Sequence, residues 1–105
     1  MNTSKKYPSN FWIGLAQVKA RDPKILGAAN AYVNVVSIAE SRSKFRQKIK
    51  EALETMNIQL QKLEDAEPLS LRVKKFEVDK NLLRLADSLF ENPSTVKLST
   101  FHTYD

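Results

Sequence analysis

Residues 31–57, "AYVNVVSIAESRSKFRQKIKEALETMN", change their hydrophobic period halfway along. Over 31–40, Val33 and Val35 face one side of an extended chain, and Tyr32, Val36 and Ile38 face the other. Both faces are largely apolar, so this strand is expected in the middle of a sheet. From residue 43 the spacing becomes helical: Phe45, Ile49, Ala52, Leu53 and Met56 form one stripe. Ser41 or Ser43 is placed to accept hydrogen bonds from the first free N–H groups. Asn57 is placed to end the helix in a left-handed conformation.

The neighbouring segments extend this strand-then-helix unit. "NFWIGLAQVKA" (10–20) is rich in aromatic and branched residues and has the length of a strand. Asp22-Pro23 and Gly27 punctuate the link to residue 31. "IQLQKLEDAE" (58–67) alternates Ile58, Leu60 and Lys62 against Gln59 and Gln61, then slips at Leu63. It reads as a strand nearer an edge with a bulge, stopped by Pro68. "LSLRVKKFEV" (69–78) is ambiguous and allows a helical turn from Ser70. "DKNLLRLADSLFEN" (79–92) is a second helix, with Asp79 as N-cap and Leu82, Leu85, Ala86 and Leu89 as its stripe. "TVKLSTFHTY" (95–104) is a final strand. Its alternation places Val96, Leu98, Thr100, His102 and Tyr104 on one face.

The expected order is β-β-α-β-α-β. Two main helices must each bury a stripe, and a four-stranded sheet supplies the surface. The expected fold is an α+β two-layer sandwich. Residues 1–9 form a mobile lead-in and 10–105 a single domain. No apolar signal-like stretch follows the polar start, and the run "FWIGLAQV" is too short to span a bilayer, so a soluble cytoplasmic protein is expected.

Chemistry is sparse. The chain has no cysteine and one histidine. That leaves no thiolate nucleophile, no disulfide and no zinc set. His102 has Ser99 and Thr100 near it in sequence, but no nucleophile-elbow pattern and no evident orienting group. Two isolated glycines do not make a phosphate-binding loop. Glu64, Asp65 and Glu67 lack the alternating ligands and glycine turn of a calcium loop. No catalytic residue, metal or cofactor is therefore assigned.

Charge is more informative. The net charge is +5, yet residues 1–50 carry +8 and residues 51–105 carry −3. Arg42, Arg46 and Lys50 recur every four residues and form one stripe on the first helix. That stripe is either a solvated helix face or a phosphate-contacting surface, the latter making a small nucleic-acid-binding domain the alternative reading. Aromatic interleaving typical of RNA-binding sheets is missing. The acidic "EDAE" (64–67) on a basic chain suits pairing with basic groups of a protein partner, or a solvated turn that discourages edge pairing.

"AYVNV" (31–35), "EDAE" (64–67) and "FHTY" (101–104), in this order along the chain, resemble small stand-alone bacterial proteins of the toxin-immunity type. Such proteins neutralise a toxin domain delivered by neighbouring bacteria, as in contact-dependent growth inhibition. Related patterns favour glycine near Asn30 and just before "TFHTY", where this chain has Ser99. The resemblance implies a non-enzymatic binding protein that occludes the active site of a cognate toxin domain, for example a nuclease. Glu64, Asp65 and Glu67 are the expected charge partners. His102, Tyr104 and Asp105 are the expected polar-aromatic part of the contact, since tyrosine supplies area and a hydrogen bond together.

Overall fold

The computed structural model describes residues 6–104 and shows an α+β fold around one antiparallel sheet. Strand β1 covers Phe11–Ala20, β2 Asn30–Ile38, β3 Ile58–Pro68, β4 Val96–Leu98 and β5 His102–Tyr104. Helix α1 covers Arg42–Glu54, α2 Leu69–Lys75 and α3 Lys80–Ser88. The sheet order is β3-β1-β2-β4, and β5 pairs with β2 beside β4. The four expected strands become five because the last one is interrupted. The ambiguous segment after Pro68 forms the additional helix, α2. Among the described residues no helix is long and apolar enough to cross a membrane.

Local chemistry explains the boundaries. The Ser41 hydroxyl accepts the Lys44 N–H at 3.2 Å and starts α1. Asn57, at φ 59°, turns the chain from α1 into β3. The Asp79 carboxylate accepts the Asn81 N–H at 2.7 Å and starts α3. Between β1 and β2, Asp22 caps a single 3-10 turn over Pro23–Ile25, and Gly27 then takes φ 79°, which glycine adopts without strain.

The hydrophobic pattern of β2 divides the core in two. Val33 and Val35 join Ala16, Val18, Phe45, Ile49 and Leu53 in a cluster under α1. Val36, one residue on, points the other way and joins Phe11, Ile13, Leu69, Ala86 and Leu89 under α2 and α3. Adjacent strand residues face opposite sides, so α1 covers one face of the sheet and the α2–α3 pair lies on the other. The two-layer arrangement is complete beneath α1; α2 and α3 add a partial third layer. Within the lead-in, Tyr7 is buried in this second cluster, and its hydroxyl donates to Asp87 of α3 at 2.7 Å.

α2 rests on β1 and β3, and α3 on β2 and β4. Together they cover only the end of the second face around Phe11, Ile13 and Val36. Among the described residues no helix lies over the rest of that face, which includes Leu15, Gln17, Tyr32 and Asn34 and is only partly buried.

Two register changes decide which side chains reach this uncovered area. Leu98 pairs with Val35 and His102 with Tyr32, so β2 advances three residues while the last segment advances four. The extra residue is a bulge between β4 and β5. At the break, the Asn34 N–H donates to the Ser99 hydroxyl at 3.0 Å, and the Ser99 N–H donates to the Asn34 carbonyl at 2.9 Å. Serine thus does a job at this entry that glycine lacks the side chain to do. The single alternating face expected for residues 96–104 does not form. Val96, Leu98 and Phe101 pack toward the α1 cluster, whereas His102 comes beside Tyr32 on the opposite face. On β3 a similar extra residue, Gln61, separates the Lys62–Gln17 pair from the Leu60–Val18 pair. Lys62 therefore does not share the face of Leu60; it moves to the side of Gln17.

Candidate functional site

The candidate site is the uncovered half of the second sheet face. Lys62 of β3, Gln17 of β1, Tyr32 of β2 and His102 of β5 form one row across four strands through their register. Glu64, Leu15 and Asn34 form the row beside it. Tyr104 lies two residues from His102 on the same face and stacks on Tyr32, with ring centroids 5.0 Å apart and planes inclined by 26°. The Gln17 side-chain amide donates to the Tyr104 hydroxyl at 2.8 Å. That bond fixes the phenol oxygen on the open face. Tyr32 has its pKa raised, first by desolvation and then by Tyr104 and the Glu64 carboxylate, so it is a neutral hydroxyl at pH 7.

A groove of about 800 Å³ continues this face toward α3. Asn34, Ser99 and His102 line its sheet side, and Asp79, Asn81 and Arg84 line its helix side. Donors and acceptors of both signs are thus presented beside two rigid aromatic rings. Such a surface can form many directional contacts, and tyrosine contributes contact area with few rotatable bonds.

The expected charge partners are separated by the fold. Glu64 reaches the open face and pairs with Lys62 at 3.3 Å. Asp65 is exposed, with φ 53°, at a second register shift on β3, between the Glu64–Leu15 and Glu67–Ile13 pairs. Glu67 is turned inward: Arg72 Nε donates to it at 2.8 Å and the Lys75 ammonium lies 2.7 Å away. Arg72 also donates to the Asp65 carbonyl. Glu67 therefore ties α2 to β3, and its charge is met within the chain. His102 and Tyr104 do sit together on the open face, whereas Asp105 lies outside the described residues. Arg42, Arg46 and Lys50 are exposed on α1 on the other side of the sheet.

Glu67 gives a pH prediction. Burial acts to raise its pKa, but the hydrogen bonds and charges of Lys75 and Arg72 outweigh burial and hold the carboxyl below the ordinary glutamate value. A lowered folded-state pKa contributes stability above the unfolded value of about 4.3, lost as pH falls through the folded value. Glu67→Gln is expected to destabilise by about 1–3 kcal/mol at pH 7. Its deficit relative to the parent should shrink below about pH 4 in urea melts, because the parent loses the same charge there. An equal deficit at pH 7 and pH 3 would contradict the ion-pair role.

Gln17, Tyr32, Asn34 and Lys62 were not among the expected site residues. The placement of Tyr32 opposite Val33 and Val35 was readable from alternation, and Gln17 stood out as a polar residue within an apolar strand. Their convergence depends on strand order. Among the described residues no hydrogen bond orients the His102 imidazole, and the Ser99 hydroxyl is engaged by the backbone. Nor do those residues gather three His, Cys, Asp or Glu side chains at metal-binding distance. No family model, curated protein or solved structure matches the chain.

Proposed function

We propose that this chain is a non-enzymatic protein-binding module of the immunity type, which neutralises a toxin domain by covering its active site. The observation that carries the reading is the uncovered sheet face with Tyr32 stacked on Tyr104 and polar groups around them. Interfaces concentrate their energy in aromatic anchors of this kind, surrounded by contacts that exclude water. The resemblance in "AYVNV", "EDAE" and "FHTY" supports the same class.

The positive net charge is compatible with this role because it is spatially separated from the proposed contact face. The α1 basic stripe lies on the opposite side of the sheet, and on the open face Lys62 and Glu64 offset one another. The partner contacts proposed here are Tyr32, Tyr104, His102 and Gln17, with Glu64 and Asp65 at the rim. Glu67 holds the scaffold.

The functional test starts from the gene next to this one: if it encodes a large secreted protein, the C-terminal domain of that protein is the toxin candidate. Cells expressing that domain are expected to grow only when this chain is co-expressed. A purified 1:1 mixture is expected to lose the domain's toxic activity. If the chain neither binds that domain nor protects the cells, the immunity reading fails.

A further inference from the structure

The exposed edge of α1 presents a separate surface. Arg42, Arg46 and Lys50 follow one another along it, rising about 6 Å between successive cations by helix geometry. All three are exposed, and among the described residues none has an ion-pair partner. Arg42 and Arg46 share a shallow groove with Gln61 and Lys62 of the edge strand β3. Arg46 and Lys50 share the adjoining groove with Gln47, Glu51 and Glu54. The cations therefore form a short line along a helix and strand edge.

We propose that this edge tracks the phosphates of a nucleic-acid duplex without reading its sequence. Three features favour that partner over an acidic protein. Among the described residues no carboxylate pairs with the forked donors of Arg42 and Arg46, and phosphate oxygens fit that geometry. The cations repeat at one spacing, as phosphates do along a strand. The grooves are lined by no aromatic ring and no exposed apolar anchor that a protein hot spot would use. The missing rings also disfavour unpaired bases, which need stacking platforms. Base edges are not addressed, so backbone contacts supply the affinity.

The test is fluorescence anisotropy of the full chain with a fluorescein-labelled, mixed-sequence duplex of about 20 base pairs, long enough to span several phosphate contacts. Three phosphate contacts predict a slope of about −3 for log affinity against log salt, a several-hundredfold loss per tenfold increase in salt. Arg42→Gln with Arg46→Gln should weaken binding at least tenfold and bring the slope to about −1. Lys50→Gln alone should reduce its magnitude by about one. Tyr32→Ala with Tyr104→Ala should leave duplex affinity within about twofold, because those rings face the other side of the sheet. Thermal melts should show the arginine variants folded, as both positions are exposed. The inference is overturned by no binding in low salt, by equal titration of parent and arginine variant, or by poly-glutamate competing as well as unlabelled duplex. The last result would assign the surface to acidic proteins. Failure here leaves the tyrosine-face reading untouched, because Arg42, Arg46 and Lys50 lie on the opposite side of the sheet from Tyr32 and Tyr104, and only Lys62 at the β3 edge borders both surfaces.

Discussion

Phe45→Ala is expected to lower folding stability by about 3–5 kcal/mol and the melting temperature by at least about 12 °C. Phe45 is fully buried, and its ring lies 5.8 Å from that of Trp12. It fits over Gly14 of β1. A Cβ at Gly14 would stand 3.2 Å from the Phe45 ring and 3.0 Å from Leu63, so the absence of a side chain there makes the slot. Removing the ring leaves a void that α1 and the sheet cannot close without moving the backbone, so the cost includes both lost burial and the cavity. The loss is a large share of the roughly 5–15 kcal/mol that holds a domain folded. Urea melts of parent and variant measure it directly. A loss below about 1 kcal/mol would mean that the α1 interface is far looser than its geometry indicates.

Tyr32→Ala with Tyr104→Ala is expected to weaken the proposed toxin-domain complex by about 100-fold or more, mainly through faster dissociation. The rings are stacked at the rim of the sheet, so folding should lose only about 1 kcal/mol from their mutual contact. Calorimetric titration against the partner, paired with urea melts, separates the two effects. Glu64→Lys with Asp65→Lys is expected to cost less, within about tenfold, since partly exposed rim charges contribute little. A tyrosine variant that binds like the parent would remove this face from the interface. A charge variant that loses most of the affinity would move the centre of contact to the β3 bulge.

The comparison between those two variants depends on the fold. In the sequence, Glu64, Asp65 and Glu67 form a compact acidic group. In the molecule Glu67 is held by Arg72 and Lys75, and Glu64 faces Lys62, so little of that charge is left for a partner. The ambiguity of residues 69–78 hid this, because Arg72 and Lys75 reach Glu67 only when Leu69–Lys75 is helical. The sequence singled out Tyr104 and His102 as candidates for a contact surface, and the fold brings both to the open face. Their position relative to Tyr32 and the core was not legible, since residues 96–104 alternate as though they were one unbroken strand.

Local chemistry determined a good deal without tertiary help. The period change near residue 41, the Ser41 and Asp79 caps, the Asp22-Pro23 turn and the left-handed Asn57 are all interactions among near neighbours in sequence. They suffice for the α+β class, for α1 and α3, and for β1, β2 and β3. Strand order, the half-covered second face, the joining of Gln17 to Tyr104 and the bulges at Ser99–Phe101 and Gln61 were decided only in three dimensions. A one-residue bulge costs little locally, yet it exchanges the two faces of everything beyond it. In the last strand it turns Phe101 toward the cluster that holds Phe45, a residue more than fifty positions away in sequence.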